Sequence, residues 1–245
     1  MEPYNAPTPL LGVVYQKFFD RYTVQTNDTT ITATLSARLQ KSSRPGSLVA
    51  VGDKVHLEQK SANEWQIIEI LPRRNHLSRE SAVPMPGAHA FEQVIAANLD
   101  QVAILFARAN PAPRWNMLDR YLVTLEAASI PALLVITKCD LHPQDEEEQD
   151  AVLADYQRIG YTVLLISALD GDGLSELRQA LAGQITALVG KSGVGKTSLL
   201  NALQPELGRR VGNVNQFTGK GRHTTTQVEM LPLNVGGALD RKSVV

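Results

Sequence analysis

"ITALVGKSGVGKTSLL", residues 185–200, opens as an apolar run and closes on helix-forming residues. Between the two, Gly190, Lys191, Ser192, Gly193, Val194, Gly195, Lys196 and Thr197 spell G-x-x-x-x-G-K-[ST]. Glycines at these places let successive backbone N–H groups turn inward around phosphate oxygens. Lys196 is then placed to reach the β- and γ-phosphates, and the Thr197 hydroxyl to ligate magnesium. Ser198 continues the first helical turn, whose N-terminus adds a positive dipole end. The stretch predicts a strand, a phosphate loop and a helix. It comes after about three quarters of the chain, so the preceding residues must supply the rest of any nucleotide site.

From residue 98 onward those residues have a β/α rhythm. "QVAILFA" (101–107), "PALLVIT" (131–137) and "TVLLIS" (162–167) read as buried strands. "RWNMLDRYLVTLEAA" (114–128), "EEEQDAVLADYQRIG" (146–160) and "GLSELRQALAG" (173–183) read as helices, the second with Val152, Tyr156 and Ile159 on one stripe. Near-continuous apolar strands alternating with amphipathic helices indicate an α/β unit with a parallel sheet covered on both faces. The acidic run Asp145–Glu148 suits the first turn of a helix.

Two quieter stretches choose the base. Thr137-Lys138-Cys139-Asp140 follows one predicted strand and matches N/T-K-x-D. An aspartate can accept from both N1–H and the 2-amino group of guanine, a donor pair that adenine lacks. Lys138 would lay its stem along the base. Ser167-Ala168 follows the next strand, where a backbone N–H can donate to guanine O6. Each is weak alone. Together they sit at the C-terminal ends of consecutive strands, where open α/β sheets bind ligands. The ligand crevice requires the correct strand ends to be neighbours in space, in any chain order, so the unit reads as a circularly permuted GTPase.

Residues 10–72 differ. "LGVVYQKFF", "RYTVQT", "ITATLSARLQ", "LVAVGDKVHLEQ" and "EWQIIEIL" read as five short strands separated by turn residues. They predict a small β-barrel: an OB-fold, with an SH3-like barrel fitting almost as well. Residues 73–97, beginning "RRNHLSRESAVPMPGAHA", read as a linker, and 98–245 as the nucleotide unit. The formal net charge is −1, so any nucleic-acid surface must be local. "PRRNHLSR" carries Arg73, Arg74 and Arg79, and residues 205–223 carry Arg209, Arg210, Lys220 and Arg222. The start, "MEPYNAPTPL", lacks the pattern of a signal peptide, and no apolar run approaches membrane-spanning length. A lone cysteine, Cys139, excludes an internal disulfide and a cysteine-based zinc cluster. A cytoplasmic protein without a membrane partner is expected.

"VAVGDKV" and "ILPRRNHLSR", then "TKCDL", "ISALDGDGL", "LVGKSGVGKTSLLNAL" and "GKGRHTTT", occur in an order that resembles the small ribosomal subunit biogenesis GTPase (RsgA) family over residues 10–233. The resemblance implies an N-terminal OB-fold, a permuted G domain and a C-terminal zinc-binding domain. It implies GTP hydrolysis to GDP, stimulated by the small ribosomal subunit and its rRNA, by a monomer. "GKGRHTTT" (219–226) would be switch I, with Thr225 of the three threonines assigned to magnesium or the γ-phosphate and His223 to the attacking water.

Two departures from the family pattern matter. Thr137 stands where asparagine is usual, which removes an amide able to brace the phosphate loop. After "VEMLPLNVGG" the chain reads "ALDRKSVV", in which Asp240 is followed by Ser243 and not by the glycine of an Asp-x-x-Gly switch II. The other Asp-x-x-Gly, Asp170 to Gly173, reads as a helix-start turn. The tail therefore reads as truncated or frame-disrupted, without zinc ligands. Two alternatives follow: a guanine-nucleotide module with little turnover, and an ATP-dependent kinase, which would need neither "TKCD" nor the permuted order.

Overall fold

The computed structural model describes residues 9–42, 49–62, 64–80, 92–205, 229–232 and 238–241. The chain divides into two compact units, with the main boundary between Asn98 and Leu99.

The first unit is built on a closed barrel of β1 (Leu10–Phe18), β2 (Arg21–Gln25), β3 (Thr30–Leu35), β4 (Lys54–Ser61) and β5 (Glu64–Ile70). The order is β1-β2-β3-β5-β4, and β4 pairs back on β1. Neighbours are antiparallel except β3 and β5, which run parallel. Strand β1 can serve two neighbours because its register shifts between Val14 and Gln16, and such a bulge bends a strand. Alternate residues point inward, so Val14, Tyr22, Val24, Ile31, Ala33, Val55, Leu57 and Ile67 fill the interior. This is an OB-fold.

Residues 37–40, read above as the end of a strand, instead belong to a short helix, α1 (Ala37–Ser42). Alanine, arginine, leucine, glutamine and lysine are good helix formers, and Gln40 N–H donates to the Ser36 carbonyl at 3.1 Å. The segment read as a linker holds strands β6 (His76–Glu80) and β7 (Glu92–Ala97), paired antiparallel. Ala97 N–H donates to Val51 O at 2.9 Å, which joins this hairpin to the barrel. Gly52 permits the approach. Its φ is +87°, and a Cβ there would lie 2.1 Å from the Ala97 carbonyl oxygen.

The second unit is a parallel sheet, ordered β10-β9-β8-β11-β13. Its strands are β8 (Gln101–Ala107), β9 (Ala132–Thr137), β10 (Thr162–Leu165), β11 (Ile185–Val189) and β13 (Ala238–Arg241). Glu229, at the start of β12 (Glu229–Pro232), groups with the first unit and stands opposite Gln16 of β1. Helices α4 (Leu174–Leu181) and α5 (Lys196–Leu203) cover one face of the parallel sheet, where Leu177, Leu181, Leu199 and Leu200 meet Leu105, Val135 and Leu188. Helix α2 (Trp115–Ala127) packs on β8 and buries Leu118, Leu122 and Leu125. Helix α3 (Glu146–Arg158) packs on β10. Its buried residues are Gln149 and Leu153. Ile159 caps its end and is exposed, so the stripe of Val152, Tyr156 and Ile159 lies to one side of the true inner face.

The chain runs outward through β8, β9 and β10, then returns to place β11 on the other flank of β8. The strand order therefore reverses between β8 and β11, the kind of switch point at whose carboxyl strand ends open α/β sheets bind ligands.

Candidate nucleotide-binding site

Four loops converge on that edge of the sheet, following β8, β9, β10 and β11. The phosphate loop follows β11. Gly193 and Gly195 have φ of +85° and +94°, in the left-handed region that glycine enters without strain. Gly190 is needed for closeness: a Cβ there would lie 2.7 Å from Leu105 O of β8. Val194 is buried in the core beneath and anchors the loop from below. Lys196 is buried, and its ammonium donates to the Gly190 carbonyl and, at 2.7 Å, to the Lys191 carbonyl. Its amine therefore lies inside the turn of the loop. Ser192, Thr197 and Ser198 are exposed at the mouth, and Lys191 is half-buried.

The loop after β9 meets the phosphate loop directly. The buried Thr137 hydroxyl lies 2.5 Å from Val194 O and 3.2 Å from Phe106 O. The brace that asparagine would have supplied through an amide is supplied here by a hydroxyl. Asparagine has two N–H donors and threonine one O–H, so this one proton is shared between two carbonyls. Lys138 follows with φ +58°, and its ammonium donates to the Asn110 carbonyl in the loop after β8. Its stem crosses the phosphate loop, with Cε 4.0 Å from where a Cβ of Gly195 would stand.

Asp140 is held by its neighbour strand. The Ser167 hydroxyl, almost fully buried, lies 3.0 Å from Asp140 Oδ1 and 2.9 Å from Asp170 Oδ2. The Asp170 N–H donates to Ser167 Oγ at 3.1 Å, and this turn leads into α4 through Gly173, with φ +70°. The Asp170–Gly173 stretch is thus a helix-start turn in this structure. Ser167 N–H is committed to Asp172 O at 3.1 Å, so it is not the N–H that faces a ligand. Cys139 lies between, half-buried. Burial pushes its thiol up, offset in part by a backbone N–H from Ile166 and by the Arg108 cation.

Some participants carried no sequence signal. Asn110 offers only a carbonyl, which any residue could provide. Arg108 belongs to no motif and enters through contacts made across the sheet edge, and Asp170, read above only as part of a helix-start turn, enters through its contact with Ser167. Other expected residues are not placed. His223, Thr225 and the cations Arg209, Arg210, Lys220 and Arg222 lie outside the described residues. Among the described residues, no group of three or more His, Cys, Asp or Glu side chains could hold a metal ion.

The RsgA GTPase family model matches residues 70–240. The chain belongs to the RsgA GTPase family. An RsgA of Gemmatimonas aurantiaca, described as a small ribosomal subunit biogenesis GTPase, is 40% identical over 233 residues, which are 94% of this chain and 74% of that protein. The RsgA of Azotobacter vinelandii is 41% identical over 192 residues, covering 78% of this chain and 54% of that protein. The chain thus matches about half the length of the latter. Among solved structures, YjeQ from Thermotoga maritima superposes with a TM-score of 0.71 at 27% identity, over 95% of this chain and 74% of that one. YloQ, described as a circularly permuted GTPase, gives 0.68 at 27% identity, over 99% of this chain and 74% of that one. The permuted strand order read from the sequence is therefore the fold of this RsgA family member.

The RNA-facing expectation needs one correction. Arg73 is not a loose cation of a basic linker. Its Nε and Nη2 donate to the two oxygens of Asp53 at 2.7 and 2.8 Å, and Asp53 is fully buried. Arg74 is exposed, with its N–H on the Asn98 side-chain oxygen at 2.9 Å. The side chain of Arg79 lies outside the described residues.

Proposed function

We propose that this chain binds guanine nucleotide at the carboxyl ends of β8–β11 and hydrolyses GTP during maturation of the small ribosomal subunit. The observation that carries the reading is the contact of Thr137 with Val194, which joins the N/T-K-x-D loop to the phosphate loop at 2.5 Å. This contact supports a single site built from two motifs 53 positions apart, counted from Thr137 to Gly190.

Asp140 is the acceptor for guanine N1–H and the 2-amino group, presented by Ser167. With Ser167 N–H taken internally, Ala168 N–H is the donor for O6. Lys138 supplies a flat stem for the base. Lys196, already inside the loop, exchanges its carbonyl partners for β- and γ-phosphate oxygens. The N–H groups from Lys191 to Ser198 complete the cradle. The fit for magnesium rests on the exposed Thr197 hydroxyl at the first turn of α5, with Thr225 as its proposed partner. Magnesium held by these hydroxyls would offset the charge of the phosphates. His223 is proposed to orient water. The described residues offer no comparable set for zinc.

In this reading residues 10–72 form an RNA-binding barrel, and the nucleotide unit starts near residue 98. The chain acts as a cytoplasmic monomer on small-subunit rRNA. No helix of the described residues is long and apolar enough to cross a membrane.

The test is displacement of a fluorescent GDP analogue, followed by phosphate release with and without small ribosomal subunits. GTP and GDP should displace far better than ATP, and phosphate release should rise with subunits. Equal displacement by ATP would overturn the base assignment. Bound nucleotide without phosphate release would reduce the protein to a binding module.

A further inference from the structure

Arg108 lies just past β8 and is not part of any motif. Its contacts are unusual in that one residue holds both ends of the loop carrying Asp140. At the near end, Arg108 N–H donates to Thr137 O at 2.8 Å. At the far end, its Nη2 donates to Glu146 Oε1 at 3.0 Å and Asp150 Oδ1 at 2.7 Å, both on α3. Its carbonyl accepts from the buried Gln149 Nε2 at 3.2 Å, and that nitrogen also donates to Asp145 at 3.0 Å. Residues 138–145 are therefore bracketed between the main-chain N–H and the side-chain Nη2 of a single residue.

We propose that Arg108 is a positioning residue for base recognition, fixing the Thr137–Asp140 loop by clamping the end of β8 to helix α3. The inference rests on the guanine reading of that loop. Arg108 is only 4% exposed, so a base cannot touch it. Nor is it there for burial alone. Its Nε has no hydrogen-bond partner among the described residues. An apolar side chain of similar length would avoid that orphan donor, and well-packed replacements of buried charges are often neutral or stabilising. What the guanidinium supplies here is one buried Nη2 group whose two N–H donors reach two carboxylates one helical turn apart. Burial works against its charge, and Asp150 and Glu146 more than offset this, so it stays a cation.

The experiment titrates GDP, IDP and ADP against the wild-type chain and the variants Arg108→Met, Arg108→Lys and Asp150→Asn. IDP lacks the 2-amino group and so forfeits one of the donors to Asp140. In Arg108→Met, GDP affinity should fall about tenfold and the preference for GDP over IDP about threefold or more, as for other groups that orient a binding residue. IDP affinity should change less. Arg108→Lys should recover part of the loss, since lysine keeps the charge without the planar guanidinium. A merely structural role would lower the melting temperature and leave the GDP/IDP ratio unchanged, and that result overturns the proposal. Should Arg108→Met not fold, Asp150→Asn keeps volume and an acceptor. It should lower the same ratio by a smaller factor, and an unchanged ratio again overturns the proposal. A wild-type chain with no preference for GDP over ADP would overturn the guanine reading and this inference together. A wild-type preference with unaltered ratios in the variants would overturn the role of Arg108 alone.

Discussion

Each unit of the molecule buries one side of an arginine–carboxylate pair, and the two do it in opposite senses. In the barrel the acid is inside: Asp53 is 0% exposed and Arg73 reaches it from a 20% exposed position. In the nucleotide unit the base is inside: Arg108 is 4% exposed, and Glu146 and Asp150 are 38% and 56% exposed. The difference decides how well each pair can be satisfied. A carboxylate only accepts, and Asp53 receives the Ala50 N–H at 2.8 Å as well as two donors from Arg73. A guanidinium has five N–H donors in a fixed fork, and two carboxylates at the edge of α3 leave Nε of Arg108 over. The barrel pair is a staple that holds Ala50, Asp53 and Arg73 together. The other pair sets geometry near a ligand loop at some cost in satisfaction.

The largest effect should come from breaking the staple. Arg73→Ala leaves Asp53 buried without its cation, and the unfolding free energy should fall by roughly 3–5 kcal/mol. Urea denaturation followed by the barrel's tryptophan, Trp65, measures it. Asp53→Asn should cost less, because Arg73 is exposed enough to rehydrate and the amide oxygen still accepts from Ala50. A loss below about 1 kcal/mol for Arg73→Ala, the range of surface pairs, would erase the distinction between the two units.

Asp140→Asn should move function and spare the fold. Losing charge-assisted bonds to guanine should lower GDP affinity by about 2–3 kcal/mol, with stability unchanged within about 0.5 kcal/mol. Xanthine nucleotides should gain, since their C2 oxygen can accept from the new amide. Calorimetric titration with GDP and XDP reads both, and unaltered base preference would remove Asp140 from the site.

Thr137→Val should touch both stability and binding, by less than either change above. It keeps the volume but strips the buried Val194 carbonyl of its hydroxyl donor, at about 1–2 kcal/mol. The loss should appear in thermal melts and be larger with GDP present than without. Thr137→Asn, which restores an amide, should lose less. If valine and asparagine behave alike, the hydroxyl is not what braces the loop.

The smallest effect is expected at Arg74. Arg74→Glu should flatten the salt dependence of the proposed rRNA binding by a slope of about 1–2, because fewer counterions are released. It also removes the 3.3 Å bond from Arg74 Nη2 to the Asn98 carbonyl. A filter-binding series in salt tests this. Arg73 is unsuited to such a test, since its reversal would disturb the barrel first.

Much of the site was legible because its chemistry is local. The glycines at 190, 193 and 195, the lysine at 196 and the threonine at 197 fall within eight residues, and their backbone demands are written in residue type. The strand and helix on either side follow from periodicity in the same way, as does the alternation that fills the barrel. Less legible were features in which one residue type serves two ends. The arginine of "PRR" reads as a solvated cation until Asp53 is found beneath it. Threonine in "TKCD" reads as the loss of an amide until its hydroxyl is found on Val194.

The sequence by itself determined the parallel sheet and the permuted order, and it marked the loops proposed to hold phosphate and guanine, since each depends on spacings of a few residues. Only the tertiary structure decided which cations are committed inside the fold and what braces the loops. Arg73 meets Asp53 across 20 positions, Arg108 meets Glu146 and Asp150 across 38 and 42, and Thr137 meets Val194 across 57. Pairings at such separations are fixed by strand order and by burial, which a local stretch of residues does not encode.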